Sequence, residues 1–129
     1  LWNGAGITRD LLAQTCLAQP EAIEDFPFGE HVSVFKVGGK TFALIPFHSD
    51  KTSIMLKCDP GKAELLRQRH PAVRASNFHK KHWNHIFLDR SIALEEVREW
   101  IEDSYDLVVD KLRKSLKSRL QTEIRNLEN

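Results

Sequence analysis

The chain has 129 residues, 41% hydrophobic and 29% charged, with a formal net charge of +1; this size and balance predict one globular domain that needs no disulfide or metal staple. No apolar run approaches the ~20 residues of a membrane span, and residues 1–6 have neither the basic region nor the apolar stretch of a signal peptide, so membrane and secreted classes are set aside and a cytoplasmic location is expected. Cys16 and Cys58 lie far apart, each in an apolar pattern, and are expected as reduced thiols.

A first helix is predicted over about residues 8–19, capped by Thr8 and stopped by Pro20, with Leu11, Leu12, Thr15 and Cys16 at helical spacing. Phe26-Pro27-Phe28-Gly29 cannot continue a helix and reads as a turn whose aromatics pin the chain against the core. Val32 to Val37 and Lys40 to Phe47 form a predicted hairpin, with Gly38-Gly39 as a two-residue turn. That turn would place Val37 opposite Lys40, Phe35 opposite Phe42 and Ser33 opposite Leu44, all on the face that meets helices. Pro46 ends the pairing.

Beyond the loop 48–51, a third strand is predicted from Thr52 to Cys58. Asp59 caps a second helix over about 60–70, with Ala63, Leu65 and Leu66 on its inner side. Val73 to Phe78 and His82 to Leu88 read as two more strands. In the second, Trp83, His85 and Phe87 share one face, and His82, Asn84, Ile86 and Leu88 the other. Asp89 or Ser91 begins a long helical region.

From Leu94 to Leu127, ten apolar residues recur every three or four positions. An unbroken helix of that length would be about 54 Å long, so either a bend or a tail that leaves the body is expected. Residues from about 114 to 129 form that extension. Its apolar stripe predicts a homodimer contact through the C-terminal helix. The element order predicts an α+β fold: an antiparallel sheet of four to five strands packed by helices, with a long C-terminal helical region.

Charge is unevenly distributed. Residues 57–90 carry eight basic and three acidic groups, residues 91–110 one basic and seven acidic, and residues 111–129 six basic and two acidic. Polyanion binding needs a basic face rather than a basic total. Lys36, Lys57, Lys80 and Lys81 come from separate segments that could converge on the sheet, with His82 and Trp83 beside them. Either they form a polyanion site, with Trp83 stacking on an unpaired base, or they form a solvated face over a core tryptophan. Phe26, Phe28, Trp83 and the lysines also leave room for a pocket holding a small anion.

The histidines 79, 82 and 85 are three apart. On a strand His82 and His85 point to opposite faces and cannot share an ion, so no metal site is expected. No fingerprint of a nucleophile elbow, P-loop or dinucleotide site is present, so neither catalytic residues nor a cofactor are expected. The acidic block from Glu95 to Asp110 suits the wet side of the last helix.

Five stretches resemble the MmcQ/YjbR family of small bacterial proteins: Asp25-Phe26-Pro27-Phe28-Gly29; Val34-Phe35-Lys36-Val37-Gly38-Gly39-Lys40 with Phe42-Ala43-Leu44; Leu56-Lys57-Cys58-Asp59-Pro60; Lys80-Lys81-His82-Trp83-Asn84; and Ser104-Tyr105-Asp106-Leu107-Val108. The resemblance spans about residues 8–115. It implies a frataxin-like or secretion-chaperone-like fold, and a non-enzymatic DNA-binding role through a double-wing arrangement. It also implies a runner-up, a protein-interaction module with the sheet or the tail as its surface. The chain departs from the family pattern at Ser76-Asn77 and His79, where relatives often carry Tyr-His and then Asn, and in its longer tail.

Overall fold

The computed structural model describes residues 6–47 and 51–128. In chain order the elements are α1 (Arg9–Leu17), β1 (Ile23–Asp25), β2 (Val32–Val37), β3 (Lys40–Pro46), β4 (Ser53–Lys57), α2 (Pro60–Arg69), β5 (Val73–Ala75), β6 (Trp83–Phe87) and α3 (Leu94–Glu128). The six strands form one sheet, β1-β2-β3-β4-β6-β5, in which every neighbouring pair is antiparallel. The main core lies on one side of it. There Phe35, Ile45, Ile54, Leu56 and Ile86 meet Leu12 and Cys16 of α1, Leu66 of α2, and Val97, Trp100, Ile101 and Val108 of α3. A smaller cluster, Val34, Leu44 and Trp83, lies apart from that core.

The α+β class is as the sequence predicts, but the sheet has six strands rather than four to five. The extra one is β1, a largely exposed edge strand of three residues with no apolar alternation. Its register with Val34–Lys36 of β2 defines it. Charged edges of this kind resist further strand addition. Residues 48–50 of the predicted loop 48–51 lie outside the described residues.

The hairpin register differs from expectation. Gly38 and Gly39 adopt φ of +56° and +79°, and Val37 faces Lys40 as predicted. Phe35, however, faces Ala43 rather than Phe42, and Ser33 faces Ile45 rather than Leu44. A β-bulge leaves Phe42 without a partner across the ladder. One extra residue flips every later side chain to the other face. Ala43 and Ile45 therefore join Phe35 in the main core, and Leu44 joins Val34 in the smaller cluster.

Phe26 and Phe28 are also not where the sequence suggests. Both are exposed, so the turn does not pin the chain to the core. Leu65 of α2 is likewise exposed, while Ala63 and Leu66 are buried. Thr8 and Asp59 cap their helices as expected, accepting from the backbone N–H of Leu11 and Lys62. The last helix begins at Leu94, not at Asp89 or Ser91. The Asp89 carboxylate instead accepts from the backbone N–H and hydroxyl of Ser91, closing a turn ahead of the helix.

α3 runs unbroken for 35 residues, about 52 Å, so of the two expectations the departing tail holds. The Tyr105 hydroxyl donates to Pro20 C=O at 2.8 Å, and its ring meets Phe42 edge-on at 5.5 Å. Beyond Leu112 the helix leaves the core, and Leu116, Leu120, Ile124 and Leu127 are exposed.

Ser104, buried on α3, reaches between two strands. Its hydroxyl donates to Phe42 C=O at 2.6 Å and accepts from the Lys57 N–H at 2.9 Å. Ser104→Ala strands both backbone groups, each costing about 1–3 kcal/mol when unpaired. The expected loss is about 2–4 kcal/mol in denaturant unfolding with an unchanged m-value. Burial pushes the Cys16 thiol up to about 12, with a further contribution from Glu24; burial also raises the half-buried Cys58. Because the thiolate is the reactive form, alkylation of the native protein at mildly alkaline pH should label Cys58 slowly and first. Cys16 should react only when the protein unfolds, and mass spectrometry reads the order.

Candidate nucleic-acid interface

β3 and β4 are paired at Ala43↔Leu56 and Leu44↔Met55. The next backbone groups, Phe42 C=O and Lys57 N–H, both go to Ser104. Beyond this point lies a cleft of about 400 Å³. Lys40, Thr41 and Lys57 supply its strand side, Val108, Lys111, Leu112 and Ser115 its α3 side, and Phe78 and Trp83 its aromatic side.

The cleft is electropositive. Among the described residues, no carboxylate forms an ion pair with Lys40, Lys57 or Lys111. Partial burial, and after it the charge of Lys111, holds the Lys57 ammonium pKa below its ordinary value. His82 is also lowered, first by desolvation and then by His79, Lys81, Lys57 and Lys111. Lys57 and His82 are thus each lowered in part by neighbouring cations.

The segment before β6 is held through its backbone. Arg67 of α2 donates to Lys80 C=O at 2.6 Å and to the Asn84 side-chain oxygen at 2.7 Å. Asn84, buried, donates in turn to Ala63 C=O. The Cys58 N–H donates to His82 C=O, and the Trp83 N–H to His79 C=O. Ser76 accepts from the Phe78 N–H and contacts Met55 Sδ. Lys80 and Lys81 are therefore exposed side chains on an anchored turn.

Of the residues singled out from sequence, Lys57 and Trp83 line one cleft, and His82 senses two of its lysines. Lys36 does not line it. It lies on β2 and is bound to Asp25 at 3.0 Å, an ion pair that holds the Asp25 carboxyl below its usual range. Trp83 is only 6% exposed and meets Phe78 edge-on at 4.9 Å. A base could reach Phe78, which is 48% exposed, before it reached Trp83. Phe26 is not among the lining residues of the described pockets, and Phe28 lines a separate concavity of about 590 Å³ with Leu44, Met55, Phe78 and His85.

Sequence reasoning missed Lys40, Phe78 and Lys111. Lys111 was legible only as part of the basic stretch on the last helix, and Lys40 only as the residue after the hairpin turn. Among the histidines, the rings of His79 and His82 lie 4.9 Å apart, His85 bonds Ser53 and stacks on Phe87, and His70 faces Glu96 at 3.5 Å. Among the described residues no three His, Cys, Asp or Glu side chains form a metal-binding group. No described helix is long and apolar enough to cross a membrane.

Relatives share both sequence and fold. YbdF of Escherichia coli O157:H7 is 37% identical over 97 residues, covering 74% of this chain and 80% of its own length. YjbR of Escherichia coli K12 is 32% identical over 102 residues, covering 78% and 86%. The crystal structure of the Deinococcus radiodurans protein DR2400 superposes with a TM-score of 0.76 at 36% identity, covering 81% of this chain and 80% of that one. A Pseudomonas syringae protein shares the fold alone, with a TM-score of 0.67 at 23% identity over 78% and 97% of the two chains. The YjbR family model matches residues 17–107, a span that includes the bulge, the anchored turn before β6 and Ser104, and the chain belongs to the YjbR family.

Proposed function

We propose that the protein is a non-enzymatic, cytoplasmic DNA-binding accessory protein that holds the phosphate backbone at the cleft beside β3 and β4. The observation that supports it is the set of Lys40, Lys57 and Lys111 around one cleft with no carboxylate paired to any of them. Like charges held together in a partly buried site repel, and a polyanion relieves that repulsion. Lys80, Lys81 and His82 extend the basic surface on the neighbouring turn. Phosphate contacts of this kind position DNA without reading its sequence. Phe78 is the ring placed to stack on a base at a frayed end or single strand. Lys36, engaged by Asp25, contributes less.

A second reading, a protein-interaction module, draws on the apolar concavity of about 590 Å³ with exposed Phe28 and Phe78 at its border. Salt dependence separates the two. Fluorescence anisotropy of labelled double- and single-stranded DNA at ~50 and ~200 mM salt should show affinity falling by about 10- to 1000-fold for several phosphate contacts. Lys57→Gln/Lys111→Gln and Lys80→Glu/Lys81→Glu should each weaken binding and flatten the salt slope, and Lys36→Gln should change it little. Absence of binding at micromolar protein in low salt would overturn the DNA reading and leave the apolar concavity as the surface to pursue.

Bound phosphate next to His82 also opposes the effects that lower its pKa. The free protein titrates below the ordinary imidazole value, and the complex should titrate higher, so binding takes up a proton. Affinity should therefore rise as pH falls through the window between the free and bound pKa values. His82→Gln should remove that pH dependence while leaving most of the salt dependence.

A further inference from the structure

We propose that the tail of α3 pairs antiparallel with the tail of a second copy of this chain, centred near Thr122. The first support is exposure. At 100° per residue, the core-facing residues Val97, Trp100, Ile101, Ser104 and Val108 occupy one side of α3, whereas Leu116, Leu120, Ile124 and Leu127 occupy another, rotated by roughly 140°. The tail stripe continues the flank of Tyr105, Val109 and Leu112, which pack against the edge of the core, into the part of the helix that has left the body. Its four large side chains are 49–87% exposed. An apolar helix stripe of this kind is costly in water and is satisfied by another apolar stripe.

The second support is self-complementarity. In an antiparallel pair centred near Thr122, residues whose numbers add to about 244 lie within about 3 Å of level along the axis, and flanks on the same side of the two stripes meet. A centre near Thr122 sets Leu116 against the partner's Leu127 and Leu120 against the partner's Ile124. The same register sets Arg119 against the partner's Glu123 on one flank, and Lys117 against the partner's Glu128 on the other. By two-fold symmetry each pair occurs twice. One register thus satisfies the four apolar residues and both acidic residues of the tail at once. A parallel in-register pair also meets stripe to stripe, but it brings each charged residue level with its own copy and so lacks the charge match.

The pairing needs no DNA, and it is tested without any. It also places the Lys111 residues of the two chains about 33 Å apart along the helix axis, close to one turn of duplex DNA. That spacing matters only if the DNA reading holds.

Sedimentation equilibrium of the full chain over about a hundredfold range of concentration should show a mass rising toward twice 14.9 kDa. Leu120→Glu should shift the dissociation constant by about 10-fold or more toward monomer. Glu123→Arg should do so as well, by facing Arg119 with a like charge. The exchanged pair Arg119→Glu/Glu123→Arg should restore the dimer, with circular dichroism confirming that each variant keeps its helix.

Direction is read by disulfide formation in a Cys58→Ser background, in which Cys16 stays buried. Leu116→Cys chains mixed with Leu127→Cys chains should cross-link, and neither should cross-link alone. The antiparallel register holds like positions about 15–18 Å apart, far beyond the reach of a disulfide. A mass of 14.9 kDa at every concentration, a dimer indifferent to Leu120→Glu, no rescue by the exchanged pair, or cross-linking of either variant with itself would each overturn the proposal.

Discussion

The Ser104 hydroxyl is the contact on which the described architecture turns. It stands between Phe42 C=O and Lys57 N–H, where the β3–β4 ladder would otherwise continue. One hydroxyl can donate to one strand and accept from the other, so the sheet stays bonded there while the strands are held apart by a side chain from α3. The bulge makes this geometry available. It frees Phe42 from a partner on β2 and sends its ring into the core against Tyr105. Tyr105, the residue after Ser104, fastens the helix to the end of α1 through Pro20. Two adjacent residues thus tie α3 to the sheet and to the first helix.

The electropositive cleft lies beside that contact. Lys57 belongs to the residue whose N–H Ser104 accepts, and Lys111 is about two helical turns further along α3. Their proximity is therefore set by the same bond that holds helix to strand. It leaves two ammonium groups near each other with no carboxylate paired to either, and Lys57 is lowered first by its partial burial and then by the charge of Lys111. Two lysines outside the cleft are neutralised, Lys36 by Asp25 and Lys62 by Asp103. The convergence of Lys40, Lys57 and Lys111 on one concavity, rather than the number of lysines, distinguishes the cleft from an ordinary solvated surface.

The turn carrying Lys80 and Lys81 shows a division of labour within one short stretch. Asn84 is buried and joins β6 to α2, Trp83 fills the smaller cluster, and the backbone of residues 80 and 82 is bonded to Arg67 and Cys58. The side chains of Phe78, His79, Lys80 and Lys81 and part of His82 face solvent. Arg67 counts as a cation in the sequence, but it holds Asn84 and Lys80 in place, so the basic character of the segment exceeds the charge available to a ligand.

Local chemistry was enough to place most elements. The Thr8 and Asp59 caps, the Gly38-Gly39 turn, the prolines that end elements and the alternation along β6 follow from steric and hydrogen-bonding preferences that act within a few residues. The family was also legible, since its five short patterns keep their order along the chain. What lay beyond the sequence was whatever depends on a distant partner. β1 is a strand because β2 pairs with it, and its own residues have no strand pattern. The bulge at Phe42 inverts a face assignment that an unbroken hairpin would demand, and Ser104, some sixty residues away, bonds to the carbonyl it frees. Lys40 and Lys111 meet Lys57 only because a helix and two strands end side by side. Local preference is decided by neighbours in the chain; convergence of charge is decided by packing, and only the tertiary structure supplies it.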